Sequence, residues 1–242
     1  MRIGFDLDGV LADLHTPFVQ TAIKLFPDLD ARVVSAADVG ASPPDETHEP
    51  PTEAPAAPSD VVLDREQTNA VWRLLTGTTD FWVGLQEIEP RSIARLAELA
   101  DSRRWEVIFL TSRPATEGRT VQRQSQEWLE RHGFPRPSLY VVHSSRGRIA
   151  DALQLDVVVD DRPENCLDVV LESKAGALLV WRGPQGTVPA SAKRLGIAVV
   201  STVSACLDAL VQAQESATED GVIDRLRRLF GLKTRTASPL RR

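Results

Sequence analysis

The chain has 242 residues, of which 42% are hydrophobic and 26% charged, and a formal net charge of −6. That length buries a self-sufficient core without disulfides or structural metals, and it fits one core with a small insert. The acidic balance excludes a general polyanion-binding surface, and with it a stable nucleic-acid partner, while no apolar run of about 18 residues suggests a membrane span.

The first predicted element is a short buried strand, Ile3 to Leu7, running into a glycine-containing turn that opens onto a helix near Pro17. No basic stretch followed by an apolar leader precedes it, so the expected location is the cytoplasm. From Ala41 to Asp60 the composition shifts to proline, alanine and acids, a mix that cannot bury enough apolar surface to order itself. Apolar residues at Val71, Leu74 and Leu75, and again at Ile93, Leu96, Leu99 and Ala100, recur at helical spacing on either side of the Phe81-to-Leu85 segment. Residues 14–88 are therefore expected to form a small, mostly helical cap that contains the loop 41–60.

Four further apolar runs read as strands: Trp105 to Leu110, Leu139 to Val142, Val157 to Val159 and Ala177 to Trp181, with a fifth at Ile197 to Val200. Strands alternating with helical segments imply an α/β core with a central parallel sheet, built from residues 1–13 and 89–214, and such sheets hold ligands outside the carboxyl ends of their strands. Residues 215–242 differ from the rest. Val222, Leu226, Leu229 and Phe230 make an apolar helical face amid arginines and Lys233, which suits a docked last helix or contact with anionic lipid or a partner helix. Cys166 and Cys206 lack ligand spacing and read as buried small residues, and the four histidines show no metal pattern.

Polar groups that do not belong in a core follow three of the strands: Asp6 and Asp8, then Thr111, Ser112 and Arg113, then Asp160 and Asp161. Carboxylates gathered at one sheet edge repel unless a cation separates them. Oxygen donors without paired histidine or cysteine favour a hard ion, so Mg2+ is the expected cofactor, held by Asp6, Asp8, Asp160 and Asp161.

Asp6-Leu7-Asp8-Gly9-Val10, Phe109-Leu110-Thr111-Ser112-Arg113-Pro114 and Asp160-Asp161-Arg162-Pro163-Glu164-Asn165 occur in the order of three motifs of the haloacid dehalogenase (HAD)-like hydrolases. The chain resembles that superfamily over nearly its whole length to about Ser201. The resemblance implies a Rossmann-like HAD core with a cap inserted after the first strand, and phosphoester hydrolysis through a phosphoryl-aspartate. It makes Asp6 the nucleophile, Asp8 the acid and base, and Thr111 and Ser112 phosphate ligands. The family's remaining motif places a lysine, less often an arginine, on the phosphoryl group. Arg146 fits that place by spacing, with Arg148 as the alternative.

DLDGVLAD, then Phe-Trp before a helix, then TSRP and DDRPEN is similar to the deoxyribonucleotidase-like branch of the 5'-nucleotidases. That implies a nucleoside monophosphate as substrate, with Arg113, Phe18, Phe81 and Trp82 enclosing it, although the same aromatics also suit the cap's own core. A phosphatase of sugar or other metabolite phosphates, and a noncatalytic phosphate-binding scaffold of the same fold, are the alternatives. A P-loop protein is excluded by the absence of GxxxxGK[ST].

Overall fold

The computed structural model describes residues 1–27, 63–215, 226 and 228–232. The acidic, proline-rich stretch 41–60 and most of the basic tail lie outside the described residues.

In chain order the described elements are β1 (Arg2–Asp6), β2 (Ala12–Asp13), α1 (His15–Leu25), α2 (Arg65–Thr76), a 3-10 turn (Phe81–Gly84), β3 (Gln86–Glu87), α3 (Ser92–Arg103) and β4 (Glu106–Thr111). Then come α4 (Val121–Arg131), β5 (Ser138–Val141), α5 (Arg146–Ala152), β6 (Val157–Asp160) and α6 (Pro163–Glu172). The chain continues through β7 (Gly176–Val180), a 3-10 turn (Gln185–Thr187), α7 (Ala190–Arg194), β8 (Ala198–Val200) and α8 (Val203–Glu215).

Six strands form one parallel sheet in the order β5-β4-β1-β6-β7-β8. Side chains alternate across it as the pleat requires. Ile3, Phe5, Val107, Phe109, Val157, Val159, Leu178 and Val180 enter one apolar cluster. Leu110, Val158, Ala177 and Leu179 enter another on the opposite face. Both faces are covered, which is why the strands read as near-continuous apolar runs. Gly4 faces the second cluster, where a Cβ would stand 2.8 Å from Leu155 Cδ1.

Counted within this sheet, the strands follow the order third, second, first, fourth, fifth, sixth. The direction of the winding therefore reverses between β1 and β6, and a crevice opens at their carboxyl ends. Asp6, Thr111 and Asp160 are the last residues of β1, β4 and β6, three adjacent strands.

The chain leaves the sheet through β2 and returns through β3, and the two pair antiparallel, Ala12 opposite Glu87 and Asp13 opposite Gln86. Between them α2 starts at a reciprocal cap, Gln67 N–H to Asp64 at 2.8 Å and Asp64 N–H to the Gln67 side chain at 3.0 Å, which satisfies two otherwise orphaned donors. It packs on α1 through Phe18 and Trp72, edge to face at 5.5 Å. Leu74, expected on the packed face of this helix, is 46% exposed.

Phe18, Trp72 and Trp82 share one continuous cluster with Phe109 and Trp128 of the main domain, so the insert has no separate core. Leu226 is buried in the same cluster and Phe230 packs against it, which docks this part of the tail on the main domain. Cys166 and Cys206 are free and buried, and burial pushes both thiols up. Among the described residues no helix is long and apolar enough to cross a membrane.

Candidate active site

Immediately after β1 the chain makes a tight turn, closed by Leu11 and Ala12 N–H donating to the Leu7 carbonyl, both at 2.8 Å. Gly9 adopts φ +78°, and a Cβ there would lie 2.0 Å from Asp161 Oδ2. Only glycine permits both the left-handed backbone and this approach of the Asp161 carboxylate to the turn carrying Asp8. Arg182, two residues beyond β7, straps the turn from outside. Its guanidinium donates to the carbonyls of Gly9 and of Val10, the latter at 3.0 Å, and pairs with Glu89 at 3.2 Å. Glu89 in turn accepts from Val203 and Ser204 N–H at the start of α8, at 2.6 and 3.0 Å.

At the end of β6, Asp160 is fully buried and accepts from the Asn165 side-chain amide on both oxygens, at 3.1 and 3.0 Å, and from Arg162 N–H at 2.9 Å. Opposite stands Arg146, 4% exposed, whose Nη2 donates to Asp6 Oδ1 at 2.6 Å while Nε lies 3.6 Å from Asp160 Oδ2. Arg146 opens α5, where Ser145 caps the helix by accepting from Gly147 N–H at 3.2 Å. Gly147 brings α5 close to α6, since a Cβ there would fall 2.2 Å from the Asp168 carbonyl oxygen.

Arg148 does not share this position. Its side chain is 80% exposed and lies 4.0 Å from Glu172. Residues two apart on a helix face different sides, so only one of these two arginines reaches the strand ends.

Arg113 faces inward: Nε and Nη2 grip both oxygens of Asp8, at 2.8 Å to Oδ2 and 2.7 Å to Oδ1, and Nη1 donates to Ser125 Oγ at 2.9 Å. The guanidinium lies 4.7 Å from the Trp82 ring centroid and 5.5 Å from that of Trp128. Phe18 and Trp82 are fully buried, and the Trp82 indole N–H donates to the Pro114 carbonyl at 3.1 Å. Phe81 packs on Trp82 at 4.9 Å and is partly buried. Phe18 and Trp82 thus present no free ring face to a base, because burying a large aromatic outweighs leaving it at a wet rim. Thr111 is buried, with its hydroxyl oxygen accepting from Arg113 N–H at 3.3 Å, and Ser112 beside it is half-buried.

Sequence reasoning missed Ser125, Arg182 and Glu89 and gave Asn165 no separate role. Position at a strand end marks Arg182, but nothing local marks its partners.

Burial raises the affinity of Asp6, Asp160 and Asp161 for protons. Burial, then Asp160, holds the Asp6 carboxyl well above the usual range despite Arg146, with Asp161 and Asp8 adding to the effect. Burial also raises Asp160, against Arg146 and the hydrogen bonds from Arg162 and Asn165. Asp161 is pushed up to about 7 by burial and by Asp160. Among the described residues no three acidic, histidine or cysteine side chains form a ready-made ligand set. The donor chemistry nevertheless fits a hard divalent ion: oxygen ligands only, in mutual repulsion, with Arg146 holding one oxygen of Asp6.

No protein-family model matches the chain, and no curated protein matches it in sequence. Solved structures that resemble it include a hydrolase from Pseudomonas syringae, at 15% identity over 90% of this chain and 100% of that one, with a TM-score of 0.48. A haloacid dehalogenase-like family hydrolase from Streptococcus pneumoniae is 16% identical over 86% of this chain and 97% of its own, with a TM-score of 0.49. A proposed beta-phosphoglucomutase from Thermotoga maritima is 15% identical over 87% and 98%, also with a TM-score of 0.49.

Proposed function

We propose that this chain is a phosphomonoester hydrolase in which Asp6 forms a transient phosphoryl-aspartate. The observation that carries the reading is the meeting of Asp6, Thr111 and Asp160 at adjacent strand ends, with buried Arg146 on Asp6 at 2.6 Å. A nucleophile, a hydroxyl, a buried guanidinium and an acid cluster are the parts that phosphoryl transfer needs: attack, and donors for charge spread over the equatorial oxygens.

In the first step an Asp6 carboxylate oxygen bonds to phosphorus and the ester P–O bond breaks, while Asp8 gives its proton to the departing oxygen. In the second, Asp8 takes a proton from water, whose oxygen attacks the same phosphorus and frees inorganic phosphate, restoring Asp6. Thr111 and Arg146 bind the phosphoryl oxygens, with Ser112 beside them. Asp6, Asp160 and Asp161 would hold Mg2+, which when bound would offset the phosphate's charge so that an anionic nucleophile can approach, while the carboxyl of Asp8, expected from the sequence among the ligands, is left to carry the proton.

Residues 14–88, entered and left through the β2–β3 ribbon, are the cap in this reading, and residues 1–13 and 89–214 the core. Within phosphomonoesters, 5'-nucleoside monophosphates remain the first substrates to try, on the sequence resemblance alone, because burial of Phe18 and Trp82 removes the stacking contacts expected for a base.

The test is Mg2+-dependent phosphate release from nucleoside monophosphates, sugar phosphates and an aryl phosphate, by the native chain and by Asp6→Asn. Release that needs Mg2+ and disappears in the variant supports the hydrolase, and preference within the panel assigns the substrate class. Release that survives Asp6→Asn removes the phosphoryl-aspartate, and no release from any ester leaves a phosphate-binding scaffold.

A further inference from the structure

We infer that Arg113 is a positioning residue: it fixes the plane of the Asp8 carboxylate so that one oxygen is presented to the leaving group. This rests on the reading of Asp8 as proton donor, and it replaces the substrate contact that the sequence resemblance suggests for Arg113.

Three observations carry it. The Arg113 side chain is fully buried, so its charge is turned away from any solvent-borne substrate. Nε meets both Asp8 oxygens, at 3.1 and 2.8 Å, and Nη2 meets Oδ1 at 2.7 Å, a planar two-donor grip that leaves the carboxylate little freedom to rotate. The guanidinium is itself fixed on every side: Nη1 on Ser125 at 2.9 Å, one ring beneath it from Trp82 and another from Trp128.

Asp8 needs such a guide because it stands on the turn that the Asp161 carboxyl approaches at Gly9, so a second acceptor of its proton lies close to the leaving group's side. Trp82 belongs to the insert, and its backbone N–H donates to Gln124 Oε1 at 3.1 Å while its indole holds Pro114. The seat of the insert therefore forms one wall of the clamp that orients the acid.

The experiment compares Arg113→Lys and Ser125→Ala with the native chain on two esters. Lysine keeps the charge and loses the plane; alanine at 125 keeps the ion pair and loosens the guanidinium. A 2,4-dinitrophenyl ester leaves without a proton, whereas glycerol 2-phosphate needs one. General acid catalysis contributes about 10²-fold or more, so Arg113→Lys is expected to lower kcat/KM, which reports the step that breaks the ester bond and not the shared hydrolysis of the phosphoryl-aspartate, on the alkyl ester by at least about 30-fold and on the aryl ester by less than about 3-fold. Ser125→Ala should shift in the same sense by a smaller factor.

An equal fall on both esters would mean a merely structural role, and a rise in KM with kcat kept would return Arg113 to substrate binding; either overturns the inference. A crystal structure of Arg113→Lys decides the point without turnover, and so remains decisive if the native chain hydrolyses neither ester. Asp8 in a new rotamer, or in two, supports the clamp, and Asp8 unmoved and fully ordered overturns it.

Discussion

Replacing Arg146 with methionine, which keeps most of the stem's volume and deletes its charge, isolates the electrostatics of the site. The guanidinium is 2.6 Å from Asp6 and 3.6 Å from Asp160, and the three side chains are 5%, 11% and 1% exposed. At an effective dielectric constant of about 20, unit charges at those separations attract by about 6 and about 5 kcal/mol. Desolvation of all three groups offsets most of that, and deleting one partner of a buried ionic set costs about 3–5 kcal/mol.

The loss has a built-in limit, because an acid without its counter-charge can take up a proton. Burial already raises Asp6 and Asp160, with Arg146 opposing, so the variant raises both further. A raised acid binds its proton more tightly folded than unfolded, so stability falls as pH climbs from the unfolded value, near 4, toward the folded one. Urea unfolding followed by tryptophan fluorescence should therefore show a loss of about 3–5 kcal/mol at pH 8 in EDTA and less than about half of that at pH 5.5. Four of the five tryptophans are buried and report the transition. Mg2+ at pH 8 should stabilise the variant more than the native chain by supplying the missing charge. An equal loss at both pH values, with no response to Mg2+, would refute this reasoning and leave Arg146 contributing through packing of its stem.

Arg148→Ala, which removes an exposed side chain, should change stability by less than about 0.5 kcal/mol and leave phosphate release unchanged, a direct contrast with Arg146 in the same assays. Gly147→Ala drives a Cβ to 2.2 Å from the Asp168 carbonyl, so α5 must shift, and a loss of about 1–3 kcal/mol in urea unfolding with reduced turnover is expected. Gly84→Ala is its control, because nothing lies within 4 Å of the added methyl. Titration of Asp161, held up to about 7, should itself cost the native chain at most about 4 kcal/mol between pH 4 and pH 7, added to the losses from Asp6 and Asp160, and Asp161→Asn should make that part of the stability profile measured in EDTA less steep.

The sheet was legible because its physics is local. Strands buried on both faces are apolar throughout, so each of the six runs falls within one or two residues of its strand, and the polar residues at their ends stand out against that background. Directions of side chains were less legible. Arg113 follows Thr111 and Ser112 in sequence and reads as a substrate contact, yet Ser125 and two tryptophans from distant segments turn it onto Asp8. Arg146 and Arg148 differ only in helix phase, which the capping Ser145 sets once the start of α5 is known. Phe18 and Trp82 were ambiguous because a stripe of aromatics serves a core and a ligand equally well until its packing partners are placed.

Topology supplies what the motifs lack. Because the winding reverses between β1 and β6, the connections leaving these two strands diverge, and Asp6 lies at the floor of the gap with Thr111 on one side and Asp160 on the other. The same turn that carries Asp8 runs into β2, through which the chain leaves the sheet for residues 14–88. Two anchors hold this turn. Arg182 holds the Gly9 and Val10 carbonyls, and through Glu89 it ties them to the first turn of α8, while Arg113 holds Asp8 from the opposite side. Segments distant in sequence, the residues after β7, the start of α8 and the residues after β4, thus converge to fix the one turn that carries Asp8.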